Sequence, residues 1–241
     1  MAATRTILSP NHYNGWEKGP PRAVVIHSTR STVASKTDAQ ELQATINWFM
    51  SVASQASAHW VISEQERVRM VEDKHPAWHA VEHSWEAYGI EVCQPTIDRP
   101  YKEGHYQNLV SVCVPYVKAG IPVVHLPTLE WQDGRRGFVG HEETEQGLRD
   151  GKSDPGPPFD WTKFINMLKA ETEAEMMTPA EFKALLLADA DFKAVLTKLN
   201  QVDGHANDAL GKVNTHTTNH PAGGPHTHGV KATITGQTEE N

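Results

Sequence analysis

The stretch Ala23-Val24-Val25-Ile26 is a continuous apolar run rich in β-branched residues. A run of this kind, with no alternating polar positions, predicts a central strand that is buried on both faces of a sheet. His27 follows the run directly, so a histidine is expected at the end of the central strand. On its own, a histidine in this place is typical of a core side chain bonded to a backbone carbonyl.

Helical and strand patterns alternate outward from this run. Apolar residues at helical spacing predict helices from Thr37-Asp38 through Met50, over 105–119 with Gly120 after its end, and over 161–168. Short β-branched runs predict strands at 58–62, 68–71, 88–92 and 122–124, the first two joined by a polar turn. Turn residues make 1–20 an extended lead-in. The alternation predicts an α/β fold with a mixed central β-sheet flanked by helices.

The composition changes after Lys169, which predicts a first folded domain, large enough for an enzyme, over 1–170 and an acidic linker over 171–178. Thr178-Pro179-Ala180-Glu181 is a capping box that begins a short helical segment over 179–200, expected to serve targeting or self-association. The remaining residues, 201–241, are rich in His, Gly and Thr and predict a flexible tail. The histidines at 216, 220, 226 and 228 are expected to belong to this flexible tail rather than to a metal site.

Composition excludes several classes of protein. The chain has 241 residues, 38% of them hydrophobic, and no apolar run approaches the roughly 18 residues that span a bilayer. Its first ten residues contain no apolar segment, so no signal peptide is predicted. The net charge of −8 and the lack of a basic stripe argue against nucleic-acid binding. Cys93 and Cys113 are expected to be buried free thiols.

A second histidine and an aspartate change the interpretation of His27 from a core side chain to a candidate metal ligand. His141 lies in Gly140-His141-Glu142-Glu143, and Asp154 follows thirteen residues later in Lys152-Ser153-Asp154-Pro155-Gly156-Pro157. The prolines restrict the backbone around Asp154, and a fixed carboxylate needs no reordering when a metal binds. Two histidines and one carboxylate form a zinc ligand set with one open position for the reacting water.

Six pieces in this order and spacing resemble a known family. They are the strand ending in His27, Ser57-Ala58-His59, Ala77-Trp78-His79-Ala80, Gly89-Ile90-Glu91, Gly140-His141, and Lys152 through Pro157. Over roughly residues 20–168 the chain is similar to the zinc-dependent N-acetylmuramoyl-L-alanine amidases of type 2, which share their fold with the peptidoglycan recognition proteins. The resemblance implies this amidase fold.

The resemblance also implies roles for single residues. It makes His27, His141 and Asp154 the ligands of Zn²⁺. It makes Glu91 the general base and Lys152 the cation that stabilises the oxyanion, although a lysine in a loop can equally be a plain surface residue. It places the substrate-binding side chains at Trp78, His79 and His59, whose alternative is ordinary packing in the core.

The expected activity is zinc-dependent hydrolysis of the amide bond between N-acetylmuramic acid and L-alanine in peptidoglycan. The missing signal peptide and the added C-terminal segment favour a phage or prophage endolysin, made in the cytoplasm and released to the cell wall by a holin. The first alternative is a cytosolic amidase that recycles muropeptides. The second is a peptidoglycan-binding module without catalysis, against which the complete ligand set and Glu91 argue.

Overall fold

The computed structural model describes residues 3–176, 181, 187–190, 192–195, 197–199 and 201. The chain divides into two compact units, Met1–Met177 and Thr178–Asn241. The described residues of the second unit are helical except Asp189, whose carboxylate accepts a hydrogen bond from the Phe192 amide at 2.9 Å. The predicted domain boundaries and the self-association of 179–200 stay predictions. The tail histidines and the predicted flexibility of the tail after 201 lie outside the described residues.

The first unit is built on one mixed six-stranded sheet. Its strands are β1 (Ala3–Thr6), β2 (Ala23–Ser28), β3 (Trp60–Ile62), β4 (Glu66–Arg69), β5 (Ala87–Val92) and β6 (Gly137–Gly140). Their order across the sheet is β1-β4-β3-β5-β2-β6, and only β3 and β4 pair antiparallel. Every residue of β2 is buried between β5 and β6. The predicted mixed central sheet, with Ala23 to Ile26 in its interior, is therefore confirmed.

In the described part of the first unit, four α-helices accompany the sheet. They are α1 (Asp38–Met50), α2 (Glu103–Lys118), α3 (Glu145–Arg149) and α4 (Trp161–Met176). Thr37 caps α1 through a reciprocal capping box with Gln40, which satisfies two backbone amides that have no partner inside the helix. Gly120 follows the end of α2 with a φ of 102°, a left-handed conformation that glycine adopts at little cost.

Helices cover both faces of the sheet, as predicted. Val24 and Ile26 of β2 face a core formed with α2 and α4, which includes Leu109 and Phe164. Leu42, Ile46 and Phe49 of α1 pack on β3 and β4 in a second cluster. Because side chains alternate along a strand, His27 lies on the face of β2 opposite Ile26, together with Val25. The single histidine of the central strand thus lies on the face of the sheet away from α2 and α4.

Two parts of the sheet differ from the prediction. The strand predicted at 122–124 is wrong, because these residues form no strand and the nearest pairing is an isolated bridge between His125, which follows them, and Phe138. Strand β6 instead forms at 137–140, where a side chain on Gly137 would lie 2.6 Å from the Val124 carbonyl oxygen. At the other edge, the predicted lead-in contains β1. Both strands have four residues, which is too short for a clear alternating pattern.

The closing helix is longer than predicted. Helix α4 continues to Met176 instead of ending at Leu168, and it includes most of the predicted linker. Phe164, Leu168 and Thr172 recur every four residues and are buried, so the apolar face of the helix extends past the predicted end. No helix among the described residues is long and apolar enough to cross a membrane.

Candidate metal centre

Three elements deliver three side chains to one point. His27 is the fifth residue of β2, and His141 follows the last residue of β6. Strands β2 and β6 are parallel and Ile26 is paired with Gly140, so the two histidines that follow lie side by side. Asp154 comes from the loop after α3. The structure therefore brings together the three side chains predicted as metal ligands.

The distances within this group match a tetrahedral metal site. His27 Nδ1 lies 3.0 Å from His141 Nδ1 and 3.3 Å from Asp154 Oδ2, and His141 Nδ1 lies 3.1 Å from the same oxygen. Tetrahedral zinc with bonds of about 2.0 Å separates its ligand atoms by about 3.3 Å. Two imidazoles and a carboxylate are also ligands that zinc prefers. The residues therefore fit a zinc ion, and they are the only such trio among the described residues.

The loop that carries Asp154 is held through its backbone. The Arg30 guanidinium donates from Nη2 to the carbonyl oxygens of Ser153 at 3.0 Å and of Pro155 at 2.9 Å. The Tyr101 hydroxyl also donates to the Pro155 carbonyl, at 3.0 Å. The Asp154 carbonyl accepts from the amide of Glu142 at 2.9 Å. Arg30 and Tyr101 were not predicted, because contacts across more than 50 residues leave no local signal in the sequence.

Electrostatics favour binding of a cation here. Burial, helped by the neighbouring His141, lowers the pKa of His27 to about 4, so this ring is neutral near pH 7. Burial opposes ionisation of Asp154, but its contacts with His141 and His27 outweigh burial and hold the pKa of this carboxyl well below its usual range. The group thus offers a neutral imidazole and an ionised carboxylate, the protonation states that metal binding requires.

The second nitrogens of both histidines are occupied by protein groups. His141 Nε2 lies 2.9 Å from Gln146 Oε1, and the Gln146 amide nitrogen donates to Asp150 at 2.6 Å. His27 Nε2 lies 3.0 Å from His79 Nδ1. Burial lowers the pKa of His79 well below its usual value. His79, predicted as a substrate contact, therefore lies directly behind a candidate ligand. The sequence did not predict the contact of Gln146 with His141, although a residue five positions after the histidine is close to it in the chain.

Glu91 lies on the strand next to His27. Strands β5 and β2 are parallel and pair Glu91 with His27, so both side chains leave the same face of the sheet. The side chain is partly buried, and its Oε2 atom is shielded from solvent and has no hydrogen-bond partner in the part of the chain that the structure describes. Burial, together with the negative charge of Asp154, raises the pKa of Glu91 to about 8. A carboxyl that can take up or release a proton near neutral pH therefore faces the candidate metal centre.

Lys152 is exposed at the start of the Asp154 loop, and its amide donates to the Gly147 carbonyl at 2.8 Å. Its charge is close enough to favour the ionised form of Glu91 and the neutral form of His27. The predicted cation therefore lies within electrostatic reach of both.

Trp78 and His59 occupy different surroundings. Trp78 is partly exposed and lines a cavity of about 460 Å³ with Tyr13 and His79, beside the candidate metal centre. His59 is fully buried, accepting from the Gly89 amide at 3.0 Å and bonding the His75 carbonyl at 3.0 Å. A substrate contact at His59 does not fit this position, because both nitrogens bond to backbone and the ring has no exposed surface.

The two cysteines are free and buried, as predicted. Burial raises the pKa of each thiol well above its usual value, so neither is a thiolate near neutral pH.

Comparison with known proteins identifies the family. Residues 17–157, more than half of the chain, match the family model described as N-acetylmuramoyl-L-alanine amidase. N-acetylmuramoyl-L-alanine amidase A of Achromobacter lyticus is 34% identical over 71 residues, which cover 29% of this chain and 35% of that protein. The match spans about a third of that relative's length.

Two solved structures share the fold. A selenomethionine derivative of AmpD superimposes with a TM-score of 0.53 at 21% identity, over 70% of this chain and 96% of that one. The hydrolase AmiA of Staphylococcus aureus, solved with its ligand, gives a TM-score of 0.53 at 12% identity, over 73% and 87%. At these identities the likeness concerns the fold, and it agrees with the sheet described above. The family match, which spans His27, Glu91, His141 and Asp154, places this chain among the N-acetylmuramoyl-L-alanine amidases.

Proposed function

We propose that this protein hydrolyses the amide bond between N-acetylmuramic acid and L-alanine in peptidoglycan, with Zn²⁺ held by His27, His141 and Asp154. The observation that carries the proposal is the convergence of the three ligand atoms within 3.3 Å of one another, on the face of the sheet that also carries Glu91. Membership in the amidase family supports the substrate class.

The bound ion would act as a Lewis acid on the scissile carbonyl and lower the pKa of water in its open position. The protein's own groups do the rest. Glu91 Oε2 has no hydrogen-bond partner among the described residues, so it is free to accept a proton from the attacking water and to deliver it to the leaving nitrogen. Lys152 adds a positive charge close to the same groups, where it stabilises negative charge that develops on the carbonyl oxygen.

A cavity beside Glu91 offers room for the substrate. It measures about 450 Å³ and is lined on one side by Thr29 and Glu91 and on the other by α1, including Trp48. Trp48 is 59% exposed, so a large apolar surface lies open next to the reacting groups. We propose that this cavity and the one beside Trp78 receive parts of the muropeptide on either side of the scissile bond.

We extend the proposal to lysis of a host cell wall, with the enzyme released from the cytoplasm by a holin as in an endolysin. The support is the second unit, Thr178–Asn241, which lies outside the family match. Its helical residues would serve wall targeting or self-association, functions that an enzyme acting on soluble fragments does not need.

The experiment that tests the activity is mass spectrometry of the products released from purified peptidoglycan. We expect stem peptides with a free L-alanine amino group from the zinc-loaded protein, and none after chelation or with Glu91→Ala. Intact muropeptides together with stoichiometric bound zinc would instead indicate a binding module. Equal activity with and without chelator would exclude zinc as the cofactor.

A second assay separates the biological roles. The rates on intact sacculi and on soluble muropeptides are compared for the same zinc-loaded protein. A preference for sacculi supports wall lysis, whereas a preference for soluble muropeptides would favour a recycling amidase and contradict the endolysin role.

A further inference from the structure

His79 lies between a candidate metal ligand and a backbone carbonyl. Its Nε2 is 3.0 Å from the Ala87 carbonyl oxygen, and its Nδ1 is 3.0 Å from His27 Nε2. A carbonyl oxygen can only accept, so the hydrogen of a neutral His79 must be on Nε2. The Nδ1 atom of His79 is then a bare acceptor that faces His27.

This arrangement decides which nitrogen of His27 carries hydrogen. Nε2 of His27 must donate to the bare Nδ1 of His79, which leaves His27 Nδ1 with a free lone pair. That lone pair points at His141 Nδ1 and Asp154 Oδ2, 3.0 and 3.3 Å away. The opposite tautomer would place a hydrogen on the atom that must bind the ion.

We propose that His79 is a positioning residue that selects the metal-binding tautomer of His27 before the metal arrives. The inference rests on the metal centre of the proposed function and adds a role for a residue outside the ligand set. His141 needs no such relay, because its Nε2 meets an amide oxygen of Gln146, whose orientation is fixed by Asp150. For His27 the acceptor is the imidazole of His79. This ring can select the tautomer of His27 only because the Ala87 carbonyl fixes the tautomer of His79 itself.

The strand beneath His79 supplies an independent observation. A side chain at Gly89 would place its Cβ 2.5 Å from His79 Cγ, so the ring lies directly against the backbone of β5. Gly89 lies within the extended strand and has no positive φ that would call for glycine. The absent side chain therefore makes room for the His79 ring. The backbone of His79 is held as well, since its amide donates to the Ser84 hydroxyl at 3.1 Å.

The test uses the full chain freed of metal, and ¹⁵N NMR of the histidine rings to observe protonation of His27 directly. The wild-type protein should show hydrogen on Nε2 of His27 and none on Nδ1. In His79→Leu the acceptor is lost, and a buried N–H without a partner is unfavourable. We expect His27 to move its hydrogen to Nδ1, where Asp154 can accept it. Zinc affinity, measured by competition with a chromogenic chelator, should fall by about 10- to 100-fold.

Further variants distinguish a tautomer effect from simple loss of packing. His79→Asn keeps an acceptor oxygen close to the place of Nδ1 and should restore most of the affinity that His79→Leu loses. Gly89→Ala should displace the ring and weaken zinc binding in the same direction. His75→Leu is the matched control, because its ring stacks on His12 and accepts from the Gly15 amide, so zinc affinity should not change.

The outcomes are separable. Hydrogen on Nδ1 of His27 in the metal-free wild type would overturn the inference without any variant. So would unchanged zinc affinity in His79→Leu, or equal losses in His79→Leu and His79→Asn. If the proposed function itself fails, the wild-type protein will bind no zinc at the ligand trio, whereas failure of the His79 inference leaves wild-type zinc binding intact.

Discussion

Two glutamates line the same cavity and differ in almost every other respect. Glu41 on α1 is fully buried and accepts from the Thr29 hydroxyl at 2.6 Å and the Ser31 amide at 3.1 Å, with the Ser31 hydroxyl and the Lys36 ammonium also in contact. Glu91 on β5 has a shielded oxygen, Oε2, to which no group of the described residues donates a hydrogen bond. Burial would raise the pKa of Glu41, but the bonds from Ser31 and Thr29 hold it below its usual value. The pKa of Glu91 is raised to about 8.

The difference shows that burial alone does not make a carboxylate reactive. What separates the two is the number of donors around each: Glu41 uses its charge to hold the segment after β2, whereas Glu91 retains capacity to exchange a proton. The same cavity thus contains a structural carboxylate and a candidate catalytic one. Four measurements test the contrast between Glu41 and Glu91.

The largest effect is expected from Glu91→Gln. Loss of a general base reduces kcat by about 10²- to 10⁴-fold. Stability should not fall, because the change removes a carboxyl whose ionised form is poorly solvated in the folded state. The measurement pairs kcat on purified peptidoglycan with urea unfolding. Retained activity would exclude Glu91 as the general base, and the two glutamates would then no longer differ in catalytic role.

Glu41→Gln should show the opposite pattern. An amide at this position offers donors to groups that already donate, so about 2–3 kcal/mol of unfolding free energy should be lost. Activity per folded molecule should change far less than in Glu91→Gln. Glu17→Gln is the matched control, because Glu17 is exposed and such changes typically stay within about 0.5 kcal/mol. A stable but inactive Glu41→Gln would show that both carboxylates take part in the reaction.

The pH dependence of stability should also have opposite signs. In metal-free protein the raised pKa of Glu91 means that the folded state keeps a proton that the unfolded state has released between pH 4.5 and about 8. Stability relative to Glu91→Gln should fall as pH rises through this window, by up to about 1.4 kcal/mol per pH unit.

Glu41 has a lowered pKa, so its contribution is present above pH 4.5 and is lost as pH falls below that value. The measurement is urea unfolding of wild type and both variants between pH 3 and about 8 in the presence of chelator. A difference between wild type and Glu91→Gln that is flat with pH would contradict the raised pKa.

The smallest effect concerns the cavity that the two carboxylates share. Trp48→Ala removes an exposed ring from its wall, and we expect KM to rise by about three- to tenfold, which corresponds to roughly 1 kcal/mol of lost contact. Both kcat and stability should stay close to wild type, because Trp48 is 59% exposed. Val52→Ala, at 69% exposure and outside the cavity lining, should leave KM unchanged. An equal KM for both variants would place the substrate elsewhere.

The sequence predicted the parts of the site that have local signals. His27 ends a buried β-branched run, and prolines surround Asp154, so both were recognisable as fixed side chains. The family resemblance added Glu91 and Lys152. The central strand followed from its continuous apolar run, and α1 and α2 followed from apolar residues at helical spacing, because each of these elements buries a continuous apolar face.

The missed features depend on contacts between distant residues. The donors to Glu41, the Arg30 bonds to the Asp154 loop and the His79 relay join segments that no local pattern relates. Strand β6 was missed because four residues with a glycine at each end show no alternation. Residues 137–140 are a strand because they pair in parallel with β2, and this pairing is not visible in their own sequence.

The absence of sulfur from the candidate metal centre has a practical consequence. The third ligand is the carboxylate of Asp154, and the two cysteines, both free and buried, are not part of the trio. Peroxide attacks exposed thiolates first, and it has no comparable reaction with a carboxylate. Oxidation of a ligand thiolate, which would disable a thiolate-ligated zinc enzyme, should therefore have no counterpart at the Asp154 ligand.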